Sequence, residues 1–109
     1  MDETKLTSNA FQTFLNETPE YSSAWMEAIQ KLDAANALDK KTKALAYLAV
    51  LAASGLISGI PFHVLHAKSL GASREEVIGA VLVGLPAVGH RVVQALPVAL
   101  DAYEIKKDI

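Results

Sequence analysis

Hydrophobic residues recur at helical spacing in the N-terminal third of the chain. Between Thr18 and Asn36 the apolar positions lie three or four residues apart, at Tyr21, Ala24, Trp25, Ala28, Ile29 and Leu32. This spacing places them on one side of a helix, with Glu27 and Lys31 at i and i+4 on the other side. The pattern predicts an amphipathic helix that begins at Thr18-Pro19 and ends near Asn36.

Two further helices are predicted on either side of this segment. Before it, Thr7 or Ser8 can cap a short helix that carries Phe11, Phe14 and Leu15. After it, Asp39 can cap a helix that continues to about Ser54. Apolar residues of this second helix cover more than one face, so we expect it to be the buried central helix of the fold.

Glycine, proline and capping residues set the expected helix limits in the C-terminal half. Gly55 and Gly59 mark a turn, and Pro61 suits the first turn of a helix that ends at Gly71. The run Ser73-Arg74-Glu75-Glu76 has the form of a capping box, in which the serine and a glutamate three residues later satisfy the first backbone N–H groups. It is expected to open a helix whose apolar residues continue to Leu85.

A last helix is expected from about Ala87 to Lys106, with a kink at Pro97. Its predicted inner stripe consists of Val92, Leu96, Ala99, Leu100 and Tyr103. The whole pattern predicts an all-α bundle of five or six helices. With 109 residues, we expect one domain that spans 1–109.

Composition narrows the classes of function. The net charge of −2 and the absence of a basic stripe give no sign of nucleic-acid binding. The chain has no cysteine, so it supplies no disulfide, thiol nucleophile or zinc-thiolate site. Met1-Asp2-Glu3 does not resemble the start of a secretory signal, and a cytoplasmic location is the expectation.

The segment from Ala44 to Ala67 contains no Asp, Glu, Lys or Arg. About 20 apolar residues can span a bilayer, so a small membrane protein is one alternative. However, the segment is rich in alanine and is interrupted by two glycines and by Pro61. We therefore favour two helices of a soluble fold. Because a chain this small cannot surround helices that are apolar on all sides, we expect a homo-oligomer and no membrane partner.

The run from Asp39 to Ala49, DKKTKALAYLA, resembles the start of the central helix of the carboxymuconolactone decarboxylase family, which includes the alkylhydroperoxidase D-like proteins. His63 followed by Gly71-Ala72-Ser73-Arg74-Glu75-Glu76-Val77 is similar to the family's histidine, seven residues, glycine and capping box. The resemblance covers about residues 11–105. It implies the alkylhydroperoxidase D-like helical fold and an assembly, for which a trimer or hexamer is expected.

Thiol peroxidases of this family use the pattern Glu-x11-Cys-x2-Cys-x3-His. Aligned on His63, their two cysteines fall on Leu56 and Gly59, and their glutamate falls on Ala44. Both redox atoms and the carboxylate of the proton relay are therefore missing. The resemblance implies the fold, whereas thiol-based peroxidase chemistry is excluded for this chain alone.

The family's namesake reaction needs no thiol. Decarboxylation of a carboxylated lactone needs an acid that protonates a developing carbanion and cations that hold carboxylates, and His63, His66, His90 and Arg91 can supply these. The sequence thus leaves two hypotheses open. The chain either binds or decarboxylates a small carboxylated molecule near His63, or it is a non-catalytic oligomeric member of the family. No cofactor is implied in either case.

Each candidate residue also has a purely structural interpretation. His63 and His66 share a helix face. Either they form an acid/base pair, or one is buried in the core and the other lies at a subunit interface. No Asp, Glu or Cys lies near them in sequence, so no metal site is expected.

The remaining candidates are expected to bind substrate. His90 and Arg91 are placed at the start of the last helix, where Arg91 either clamps a substrate carboxylate or pairs with Asp101 or Glu104 of another copy. Tyr47 either lines the pocket left by the missing thiols or lies in the core with a satisfied hydroxyl.

Overall fold

The computed structural model describes residues 8–105, and every regular element in that range is helical. Six helices have eight or more residues: α1 Asn9–Glu17, α2 Pro19–Ala35, α3 Lys40–Ser54, α4 Ile60–Ser69, α5 Arg74–Leu82 and α7 Leu96–Tyr103. A four-residue helix α6 (Leu85–Val88) and 3₁₀ turns at Ile57–Gly59, Gly89–Arg91 and Val93–Ala95 connect them. The predicted all-α fold is confirmed. Thr7 and Lys106, named above as helix limits, lie outside the described residues.

Local side-chain chemistry explains where the first two helices begin and end. The Ser8 hydroxyl accepts the Phe11 N–H at 3.1 Å and caps α1, as predicted. Thr18 does not cap α2 with its side chain, because its hydroxyl donates to the Phe14 carbonyl at 2.6 Å and so continues α1 instead. The helix α2 ends at Ala35 with Asn36 as its C-cap, in agreement with the predicted end near Asn36.

The central helix α3 has the predicted limits but not the predicted burial. Asp39 caps it by accepting the Thr42 N–H at 2.9 Å, and Gly55 ends it with a φ of 72°. The side that packs into the core carries Ala44, Leu48, Leu51 and Ala52. The opposite side, with Ala46, Tyr47 and Val50, is exposed. The expectation of a helix buried on all sides is therefore wrong for one copy of the chain.

The junction between α4 and α5 is built as the sequence predicts. Gly71 has a φ of 95°, and the Ala72 N–H donates to the Ala67 carbonyl at 3.0 Å, so α4 ends in a Schellman-type turn. Ser73 and Glu76 form the reciprocal capping box, with bonds of 3.0 Å to the Glu76 N–H and 2.9 Å to the Ser73 N–H.

The predicted continuous last helix is wrong. The helix α5 ends at Leu82 rather than Leu85, and Gly89 adopts a φ of 67° with a ψ of −140°, a combination available mainly to glycine. The regular helix resumes only at α7, where Pro97 occupies the first turn instead of kinking a longer helix. The break lets the chain reverse so that α7 packs against α4 and α5.

Within residues 8–105, no single helix has the length and hydropathy of a membrane span. The required length and hydropathy are met only by a pair of segments taken together, Arg74–Arg91 and Val93–Tyr103. These two segments are bent by 116° relative to each other.

The hydrophobic core lies among α3, α4, α5 and α7. Its largest fully buried side chains are Leu48, Ile60, Val64, Val77, Val81 and Val92. The segment from the last 3₁₀ turn through α7 contributes small residues at Ala95, Ala99 and Ala102, which let the helix approach its neighbours closely. The predicted inner stripe of the last helix is thus partly wrong, because Leu96, Leu100 and Tyr103 are only half-buried.

The helices α1 and α2 lie outside this core and pack mainly on each other. We call this pair the arm. Its side chains that share the predicted apolar face of α2 are largely exposed, at 73% for Tyr21, 54% for Trp25 and 68% for Leu32. Among residues 8–105, Trp25 therefore lies more than half exposed.

Candidate functional site

His63 lies in the first turn of α4, where Pro61 begins the helix. The imidazole is half-buried, and its ring centroid is 4.4 Å from that of Tyr47 on α3, with 37° between the two planes. Phe62 meets the same imidazole edge-on at 5.3 Å and 79°. The structure therefore brings together His63 and Tyr47, two of the predicted site residues, from different helices.

The surroundings of His63 favour its neutral form. Burial lowers the pKa of the His63 imidazole, because the charged form loses hydration, and the nearby charge of His66 lowers the same pKa further. At neutral pH the ring can thus accept a proton at one nitrogen and donate a hydrogen bond from the other.

His66 lies one turn after His63, as its spacing predicts, but its side chain is exposed. Its backbone carbonyl accepts the Ser69 hydroxyl at 2.6 Å in the last turn of α4. Its influence on His63 is electrostatic, and the two rings do not share an equally buried setting.

One of the two positions that align with the family's cysteines adjoins His63. A Cβ at Gly59 would lie 4.0 Å from Cδ2 of His63 and 3.5 Å from Cδ1 of Leu51, so position 59 adjoins the imidazole. Leu56 is exposed in the connection before α4, and Ala44 is buried one turn before Leu48 on the core side of α3.

His90 and Arg91 lie in a 3₁₀ turn and not at the start of a helix. The predicted help from a helix N-terminus is therefore wrong, because α7 begins only at Leu96. Within residues 8–105 no ion pair joins Arg91 to another side chain, and a Cβ built at Gly55 would lie 3.0 Å from its Nη1. Glu104, one of its expected partners, pairs with Arg74 at 3.2 Å in the same chain.

Phe62 is a neighbour of His63 that the sequence did not indicate as a site residue. Its position directly before the histidine was the only available signal, and adjacency in a helix does not predict a ring contact. Across residues 8–105 there is no group of three or more His, Cys, Asp or Glu side chains arranged to hold a metal ion.

Comparison with known proteins identifies the family to which this helical fold belongs. Residues 19–101 match the carboxymuconolactone decarboxylase family. The match covers well over half of the chain, and the chain belongs to this family. Neither the curated proteins nor the solved structures provide a match.

Proposed function

We propose that this chain binds a small carboxylated molecule, such as a carboxylated lactone, next to His63 and acts on it by decarboxylase-type chemistry. The observation that carries the proposal is the half-buried imidazole against Tyr47 and Phe62. Its spacing to the capping box, which resembles that of the family's histidine, supports the proposal. An imidazole that is partly withdrawn from water but still open on one side is typical of a group that meets a ligand.

The chemistry can be balanced with residues of this chain. In decarboxylation, the bond between the ring carbon and the carboxyl carbon breaks, carbon dioxide leaves, and the electron pair passes into the system conjugated with the lactone carbonyl. A proton must then reach carbon, and the imidazolium form of His63 can donate it and recover a proton from water. Because the acid form is required, the rate should rise as the pH falls toward the His63 pKa, which burial holds below 6.5.

Arg91 is the proposed carboxylate-binding group. Its guanidinium lies at Gly55, and His63 lies at Gly59, so the two groups adjoin opposite ends of the connection between α3 and α4. A guanidinium can hold a carboxylate through two parallel hydrogen bonds. His90 is the neighbour of Arg91 in the same 3₁₀ turn, and His66 lies one turn after His63 on α4. Both are secondary candidates for binding the substrate.

The thiol chemistry of other family members is not part of the proposal. Ala44, Leu56 and Gly59 occupy the three aligned positions, and none of these side chains can carry a redox or proton-transfer step. We propose that this is a degenerate peroxidase site in a cytoplasmic protein.

Ligand binding and turnover test the proposal together. A panel of carboxylated γ-lactones should raise the melting temperature of the parent protein, and H63Q should lose most of that increase. The exposed variant Q94A is the matched control and should respond as the parent does. Loss of lactone absorbance with release of carbon dioxide would establish the reaction, and a parent protein that no lactone stabilises would contradict the proposed site.

The second candidate is a non-catalytic family member that keeps the fold and the assembly. The apolar side chains at Ala44 and Leu56 favour it, since they remove the family's known reactive groups without an evident replacement. A lactone that stabilises the parent through His63 but is never consumed would support this second candidate.

A further inference from the structure

A groove lies on the arm, at the elbow where α1 joins α2. Its lining consists of Phe14 from α1 and Glu20, Tyr21, Ala24 and Trp25 from α2. The volume is about 490 Å³, which lies within the range of small-ligand sites. Three of these side chains are aromatic and one is a carboxylate. Within residues 8–105, the lining includes no Lys, Arg or His.

We infer that this groove, which we call the cation groove, binds a free small organic cation with a quaternary ammonium head group, held by the rings of Tyr21 and Trp25 and the carboxylate of Glu20. Aromatic rings attract cations through their electron-rich faces, and clusters of such rings are typical sites for quaternary ammonium groups. A wholly apolar ligand fits less well, because it would take water from the carboxylate without replacing its interactions.

The rings border an open space on two helices. Tyr21 and Trp25 are four residues apart on α2, so their Cβ atoms lie about 5–6 Å from each other on one side of the helix. Ala24, the lining residue between them, has a short side chain that leaves room for a ligand. Across the elbow, the ring of Phe14 is supported by that of Phe11, with their centroids 6.3 Å apart. A trimethylammonium group can therefore reach both α2 rings from solvent.

Hydrogen bonds fix the elbow that shapes the groove. The Thr18 hydroxyl and the Thr18 N–H both donate to the Phe14 carbonyl, at 2.6 and 3.2 Å. The buried Ser22 donates from its N–H to the Thr18 carbonyl at 2.9 Å and from its hydroxyl to the Pro19 carbonyl at 3.3 Å. These bonds set the backbone between Phe14 and Tyr21 before any ligand arrives, which lowers the entropy cost of binding.

The carboxylate of Glu20 is available to a ligand. The ion pairs within residues 8–105 use other carboxylates, namely those of Glu27, Asp33, Glu76 and Glu104. The one basic residue of segment 8–38 is Lys31, and it pairs with Glu27 at 3.0 Å. The charge that faces the cation groove is therefore negative and is not neutralised by a side chain of the arm.

The fluorescence of Trp25 reports on the groove directly, because it is the only tryptophan of the chain. Choline chloride added to the full-length protein at constant ionic strength should change this fluorescence in a saturable way, with a dissociation constant in the millimolar range. The control ligand is 3,3-dimethylbutanol, the neutral isostere of choline, which should give no saturable change. An equal response to both ligands, or a response to neither, would overturn the inference.

Substitutions in the lining test the assigned groups. E20Q removes the charge and keeps the shape, and Y21L removes the ring, so each should weaken choline binding about two- to fivefold. Y21F keeps an aromatic ring and should bind as the parent does. The matched control is E27Q, which makes the same charge change on the opposite side of α2 and should also bind as the parent does. Parent-like affinity in both E20Q and Y21L would overturn the inference.

Two further measurements cover folding and the source of the cation. Helical circular dichroism should be unchanged in every variant, since the substituted side chains are exposed. In saturation-transfer NMR, which does not depend on Trp25, saturation of the parent should reach the N-methyl protons of choline, and absence of transfer would overturn the inference. Phosphatidylcholine vesicles carry the same head group on a bilayer, and a response to the vesicles alone would overturn the assignment to a free cation.

The cation groove lies on α1 and α2, whereas the proposed decarboxylase site lies at His63 on α4. The experiments on the groove use no lactone. Their failure would therefore leave the proposed function at His63 standing.

Discussion

At the scale of single residues, the protonation of His63 depends on the fold more than on its identity. The same imidazole in an unfolded chain is surrounded by water, whereas here Tyr47 and Phe62 cover part of it. Burial lowers its pKa, and the charge of His66 adds to the effect. His66, three residues later on the same helix, remains exposed. The two histidines of α4 therefore differ in their burial.

This difference predicts a dependence of stability on pH. The unfolded imidazole titrates near 6.5, and the folded one titrates at a lower pH. Between these two values the unfolded chain binds more protons, so the free energy of unfolding should fall as the pH drops below 6.5. Urea unfolding between pH 7 and 5 would measure this decrease. H63Q should flatten it, and H90Q, at an exposed position, should not. An equal slope in H63Q would contradict the assigned cause.

At the scale of secondary-structure elements, helix limits follow from short-range chemistry. The capping box of Ser73 and Glu76, the cap at Asp39 and the glycines at positions 55 and 71 act within a few residues of the chain, and all were predicted. The failure at the last helix has a different cause. The chain reverses after Gly89 and Val92 is buried in the core, and no local rule predicts a break that depends on such packing.

A serine substitution should show how much the capping box contributes. S73A removes the acceptor for the Glu76 N–H, and we expect the free energy of unfolding to fall by about 1 kcal/mol. S69A, in the last turn of α4, is the matched control and should change it by less than about 0.5 kcal/mol. Chemical denaturation of both variants under one buffer condition makes the comparison. Equal losses would mean that the box is not a specific source of stability.

At the scale of the whole molecule, the division between the arm and the core is the main feature. The core is closed by α3, α4, α5 and α7, while α1 and α2 contribute no residue to it. An ion pair joins Asp33 of α2 to Lys43 of α3. An exposed pair of this kind adds little stability. Within residues 8–105, the apolar stripe of α2 therefore stays largely exposed.

Coupling of folding to assembly predicts that thermal stability depends on concentration. If the folded state is an oligomer, mass action raises the melting temperature as the protein becomes more concentrated. The parent should melt several degrees higher at about a hundredfold greater concentration. W25D, which places a charge in the exposed apolar stripe of α2, should melt at one temperature throughout. A parent whose melting temperature does not change over this range would contradict a folded assembly.

The sequence indicated a candidate site only where a position resembling the family's existed. His63 was identified by its spacing to the capping box, and position 59 does adjoin it. The sequence offered a place near His63 as one of two alternatives for Tyr47, whereas the ring contact with Phe62 and the location of Arg91 outside any helix N-terminus could not be anticipated. These depend on how α3, α4 and the turn after α6 pack, and residues far apart in sequence meet there through interactions that leave no local pattern.

Hydrophobic spacing, caps and glycines determine the helical class, the limits of α1 to α4 and the start of α5, because each acts within one or two turns of a helix. The absence of cysteine likewise excludes thiol chemistry in this chain before any coordinates are considered. Which side of α3 is buried, where the last helix breaks and which imidazole is shielded depend instead on long-range packing. The side chain of Tyr47 has the same helical preference in the core as in water, and its contacts across the fold place it beside His63.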